Sequence, residues 1–90
     1  MDIPEFARRI EEGHYGVTLL PDGTGVLLDL NQEALISFNA TGAFILSCLR
    51  ERMDESQVVA ALIERFEVDD LTAGQDVPAF IAQLADAVGM

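Results

Sequence analysis

The stretch ALISFNATGAFIL, residues 34–46, changes its period at one residue. Ala34 to Phe38 reads as an extended strand, and an apolar run at helical spacing starts directly after Asn39. Asn39 suits the N-cap position, because its side-chain oxygen can accept from an orphan amide of the first turn. With no loop between them, the strand is held rigidly by the helix that follows. The rest of the chain has to be arranged around that joint.

Upstream, YGVTLLPDGTGVLLDL reads as a hairpin. Tyr15, Val17 and Leu19 alternate with Gly16, Thr18 and Leu20. PDG supplies the turn: Pro21 presets φ, Asp22 can bond back to the chain, and Gly23 tolerates positive φ. Val26, Leu28 and Leu30 form one face of the second strand, with Leu27 and Asp29 on the other. LNQE makes the next turn, and Ala34 to Phe38 completes a three-stranded antiparallel meander.

Downstream, Ala40 to Arg52 reads as a nearly all-apolar helix, with Ile45, Leu49 and Met53 on one stripe and Phe44 and Leu46 widening it. This is the expected central helix. Gly42 in its first turn lowers propensity but permits close approach by another backbone. DESQ resembles a capping box, with Asp54 as cap and Gln57 three residues on. Val58, Val59, Leu62, Ile63 and Phe66 then form a helical stripe. EVDDLTAGQDV reads as a loop. The last helix starts either from a cap at Thr72, with Pro78 inside it, or from a cap at Asp76, with Pro78 in its first turn. Val77, Phe80, Ile81, Leu84 and Val88 repeat at three and four, and Gly89 fits as a stop.

Residues 1–14, with Ile3, Phe6 and Ile10 at helical spacing and Pro4 near the start, read as a short helical arm that packs either on its own domain or on a second copy. Residues 15–90 form one domain in which strands precede helices. That segregation is α+β. A small three-stranded antiparallel sheet followed by a three-helix bundle is winged-helix-like.

The charge balance narrows the partners. Sixteen acids face five bases, a net charge of −11, and all five bases are Arg, none beyond Arg65. Phosphate binding needs cations that displace counterions, so nucleic acid is excluded as a partner. No apolar run reaches the ~18 residues that span a bilayer, and the N-terminus lacks the apolar stretch of a signal peptide, so no membrane association and a cytoplasmic location are expected. The single cysteine, Cys48, lies in an apolar run, where a thiol behaves as a small hydrophobe. One His and one Cys far apart make no metal site. Gly23 and Gly25 belong to a turn and not to a phosphate loop, and Ser37, Ser47 and Ser56 have no recognisable triad. No catalytic residue, cofactor or metal is expected, and the chain reads as a binding module.

The meander suggests what it binds. If strand order follows chain order, Ala34–Phe38 is an edge, with no charge or Pro to blunt it. A bare edge fixed to a helix can receive another peptide as an added strand. Leu35, Ile36, Ser37 and Phe38 would supply the edge, and Phe80, Leu84 and Ala87 on the last helix would supply apolar anchors. Ile36→Pro would weaken such binding, provided that amide faces outward.

GVLLDL, SFNATGAFIL, ESQVVAALIERFEVD and DVPAFIAQLADAVGM, taken in order over about residues 15–90, resemble the PqqD-like family, also called RiPP recognition elements. FNATGAFIL, similar to the family's Leu-Asn-x-Thr-Gly-x-x-Ile-Leu pattern, is the most specific part. The resemblance implies a non-catalytic adaptor that binds the leader of a ribosomally made precursor peptide and delivers it to a modifying enzyme, often a radical SAM protein. It implies that the leader adds to the third strand, against the third helix of the bundle. The best-known member serves pyrroloquinoline quinone (PQQ) biosynthesis. This chain has DLNQEA and LRERMDES where members of that pathway carry a Pro-Glu-Gly turn and a Cys-Asp-Gly-like helix end, so the resemblance leaves the pathway open. Two other readings use the same elements. A winged-helix DNA binder would need a basic recognition helix, which the acidic last two helices do not offer. A homodimeric interaction or regulatory module would pair edge strands across a two-fold axis.

Overall fold

The computed structural model describes the whole chain, residues 1–90. Its elements run α1 (Ile3–Glu11), β1 (Tyr15–Leu19), β2 (Gly25–Asp29), β3 (Ala34–Phe38), α2 (Ala40–Arg50), α3 (Glu55–Phe66) and α4 (Asp70–Val88). The three strands form one antiparallel sheet in the order β1-β2-β3, with Leu19, Gly25 and Phe38 in one cross-strand row and Val17, Leu27 and Ile36 two rows on, on the same face. The architecture is α+β, with the helices gathered on one face of the sheet.

Local chemistry sets the boundaries. At the β1–β2 turn, the Gly23 N–H donates to the Leu20 carbonyl at 3.0 Å with Gly23 at φ 91°, and Asp22 accepts from the Thr24 amide and hydroxyl. Asn39 caps α2 by accepting from the Gly42 N–H at 2.9 Å. Asp54 and Gln57 close the expected capping box on α3, each side chain bonded to the other's backbone N–H at 2.9 Å.

α4 differs from both expected starts. Its cap is Asp69, which accepts from the Thr72 N–H at 2.6 Å, so most of the expected loop is helix and Pro78 lies well inside it. The cost is limited because Pro78 removes a single bond, that to the Gly74 carbonyl. Ala73, Val77, Ile81 and Leu84 are all buried at helical spacing, and that burial extends the helix back past the proline.

The core lies between the sheet and the helices. Leu27 from β2, Leu46 and Leu49 from α2, Val58 from α3 and Val77 from α4 are all fully buried. α1 packs on its own chain: Phe6 and Ala7 are fully buried, and the Phe6 ring lies 5.5 Å from that of Tyr15. Arg52 fixes the helix from the far end of α2 by donating to both Glu11 carboxylate oxygens at 2.9 Å. The expected arm is thus continuous with the core of the domain.

β2 buries its less apolar face. Leu27 and Asp29 point into the protein, whereas Leu28 and Leu30 are exposed. Asp29 is tolerated at 1% exposure because its carboxylate accepts from the Asn31 N–H (3.0 Å), the Gln32 N–H (3.2 Å) and Gln32 Nε2 (2.7 Å). A buried carboxylate so bonded organises the turn instead of destabilising it.

Candidate functional site: the cleft between β3 and α4

β3 is an edge strand, paired with β2 only. Which of its main-chain groups face outward follows from the register. Just beyond the strand ends, Leu20 N–H donates to the Thr24 carbonyl at 2.8 Å and Leu30 N–H to the His14 carbonyl at 3.1 Å. Hydrogen-bonded rows alternate in an antiparallel pair. The bonded rows between β1 and β2 are therefore Thr18–Val26 and Gly16–Leu28, and the main-chain groups of Gly25, Leu27 and Asp29 turn toward β3. Their partners there are Phe38, Ile36 and Ala34. The N–H and C=O groups left facing away from the sheet belong to Leu35 and Ser37.

This corrects the expectation for Ile36. Its amide points into the sheet, so Ile36→Pro would break the β2–β3 ladder and not a contact to a guest. The hairpin turn could have revealed the parity, since the PDG geometry fixes Leu20–Thr24 as a bonded row.

α4 runs alongside this edge, antiparallel to β3, and two contacts fix its distance. At one end the Phe38 and Phe80 rings pack 5.7 Å apart, tilted by 54°. At the other, Gln32 Nε2, already bonded to Asp29, also donates to the Ala87 carbonyl at 3.3 Å. The three steps from Ala34 to Ser37 span about 10 Å of strand. The seven steps from Phe80 to Ala87 rise about 10 Å along the helix. The edge between these two contacts thus matches roughly four residues of extended chain.

Gly42 sets the position of Phe80. A Cβ there would lie 3.0 Å from Phe80 Cε2 and 3.4 Å from Phe38 Cβ. The close neighbours at Gly42 are therefore side chains, the Phe80 ring nearest, and not the backbone expected there. Sequence reasoning missed Asp29 and Gln32, because the bond from Gln32 to Ala87 spans residues 55 apart and leaves no local pattern.

The expected site residues fall into three groups. Leu35 (68% exposed) and Ser37 present outward backbone and side chains on the face away from the helices. Ile36 and Phe38 are partly buried on the core side, and half-buried Phe80 joins Phe38 at the cleft. Ala87 is exposed at the cleft's other end, one helical strip with Phe80. Leu84, at 3% exposure, belongs to the core cluster: it supports the cleft from below and offers almost no surface.

The remaining candidates stand apart. A separate concavity of about 330 Å³ opens on the β1 side, lined by Leu19, Ala43, Phe44, Arg65 and Phe66, and shares no residue with the β3–α4 cleft. Cys48 is buried at 4% exposure, and burial pushes its thiol pKa up, helped by the nearby Glu51 charge, which disfavours the thiolate. No helix is long and apolar enough to cross a membrane.

Known structures share this fold. The structure of TbiB1 in complex with the TbiA(beta) leader peptide superposes with a TM-score of 0.77 at 27% identity, covering 83% of this chain and 86% of that one. Lasso peptide synthetase B1 complexed with the leader peptide gives a TM-score of 0.72 at 25% identity, covering 83% and 87%. No curated protein sequence matches. The family described as coenzyme PQQ synthesis protein D (PqqD) matches residues 24–87, the segment that holds β2, β3 and α2 whole and all but the last residue of α4. The chain belongs to the PqqD family.

Proposed function

We propose that this protein captures the leader of a ribosomally synthesised precursor peptide as a fourth strand on β3, against α4, and presents it to a modifying enzyme. One observation carries the proposal: the outward main-chain groups of Leu35 and Ser37 lie on an unpaired edge beside α4, which is tied to the sheet beyond both of them. The structural relatives, both complexes with leader peptides, support it. The role is that of an adaptor without chemistry of its own. The enzyme it serves is a peptide-modifying one, in this family often a radical SAM protein.

The energetics say what the guest must bring. Two outward residues offer four main-chain hydrogen bonds at about 1 kcal/mol each. Association costs at least about 4 kcal/mol, so these bonds alone leave little net affinity. Micromolar binding needs about 8 kcal/mol more, or roughly 300 Å² of apolar burial at 25 cal/mol per Å². The guest is therefore an apolar segment.

Calorimetric titration with the full precursor and with a leaderless precursor tests this reading. Binding should reside in the leader. Equal binding of the leaderless form would refute it.

A further inference from the structure

The sheet face turned away from the helices carries an apolar patch. Leu28 and Leu35 are direct cross-strand partners there, 40% and 68% exposed, and Leu30 at the adjoining turn is 54% exposed. Their row is a non-hydrogen-bonded one, in which side chains of neighbouring strands come closest. Toward β1 the row ends at Gly16, which has no side chain to cover Leu28. No element of the chain packs over this face. The patch reaches the β3 edge, where an added strand would extend it.

A strand added at that edge bonds to Leu35 and Ser37. The guest residue opposite Leu35 then stands on the same outer face, because paired residues share a face of the sheet. Its two chain neighbours turn to the other side, toward Phe80 and Ala87. We infer that the guest segment is read on both faces: an apolar side chain covers Leu35 and Leu28 outside the sheet, while the residues on either side of it enter the β3–α4 cleft. The recognised sequence is therefore a continuous apolar run of about three residues, and an alternating pattern, which fills the cleft alone, binds less well. This rests on the strand-addition reading above. It adds that Leu35 selects among guests by its side chain as well as by its backbone.

The test is a selection from a displayed library of short random peptides on the full-length protein, with Leu35→Ser and Ser37→Pro selected in parallel. Leu35 and Ser37 are exposed, so both variants should fold, and melting curves check this first. The wild-type protein should enrich peptides with adjacent apolar residues. Leu35→Ser should keep the two cleft-facing preferences and lose the central one, binding the wild-type winners on the order of tenfold more weakly, with Leu35→Met restoring them. Identical winners and affinities for wild type and Leu35→Ser would overturn the inference while leaving strand addition intact. Enrichment that Ser37→Pro does not diminish would overturn strand addition itself. A wild-type dimer in sedimentation that Leu35→Ser converts to monomer would also overturn the inference, assigning the patch to a second copy.

Discussion

Replacing Ser37 and Ile36 by proline, one at a time, separates the two sides of β3. At Ser37 the ring removes an outward N–H and leaves the β2–β3 ladder whole; the side chain is exposed, and proline is compatible with an edge strand. A guest carbonyl loses its donor and is left facing the ring. The missing bond and partial desolvation together cost about 1–3 kcal/mol, so affinity should fall roughly fivefold to a hundredfold. At Ile36 the ring removes the bond to Leu27, whose backbone is fully buried, and deletes a partly buried side chain that packs on the core. An orphaned buried carbonyl and the lost packing together cost about 3 kcal/mol or more. For a domain of this size each kcal/mol lowers the melting temperature by about 4–8 °C, so Ile36→Pro should melt at least ~12 °C early. Melting curves and fluorescence-anisotropy titration with a library-selected peptide measure both quantities. A Ser37→Pro protein that binds like wild type, or one that melts as early as Ile36→Pro, would refute the assigned register.

Three further outcomes follow from the cleft and its supports. Gly42→Ala places a methyl group 3.0 Å from Phe80 Cε2, so the ring must move; peptide affinity should fall severalfold, while thermal stability changes by less than about 2 kcal/mol because overpacking and improved helix propensity oppose one another. Gln32→Ala removes the bridge from Asp29 to the Ala87 carbonyl and should cost about 1–2 kcal/mol in urea unfolding, with faster hydrogen exchange at the C-terminal turn of α4. The Thr72 backbone N–H, and then its side chain, hold the Asp69 carboxyl below its usual range. A depressed folded-state pKa gives stability that is full above the unfolded value of about 4 and is lost as pH falls through the folded one. The melting temperature should therefore drop below about pH 4, and less steeply in Asp69→Asn, where the cap no longer titrates; an unchanged slope would remove Asp69 from the explanation.

Much of the fold was legible because local chemistry and long-range packing agree. PDG placed the hairpin, Asn39 and the Asp54–Gln57 box placed two helix starts, and chain order gave the edge strand. α4 was misread because Gly74 and Pro78 weaken its first half, whereas the buried Ala73, Val77, Ile81 and Leu84 outweigh them. The Asp69 cap was available as a signal, with a polar residue just ahead of that apolar spacing. β2 was harder to orient. Its Val26, Leu28 and Leu30 face is the more apolar, yet Leu27 and Asp29 are the buried pair, since Asp29 is needed inside to organise the turn that meets α4. Leu84 illustrates the same limit: helical spacing groups it with Phe80, but only packing shows that it faces inward.

Hydrogen exchange at the β3 amides tests strand addition most directly. In the free protein the amides of Leu35 and Ser37 should exchange freely, while those of Ile36 and Phe38 are protected by β2. On saturation with a leader peptide, Leu35 and Ser37 should become protected together. Protection that is already present without peptide, or that develops on the β1 edge instead, would contradict a guest strand on β3.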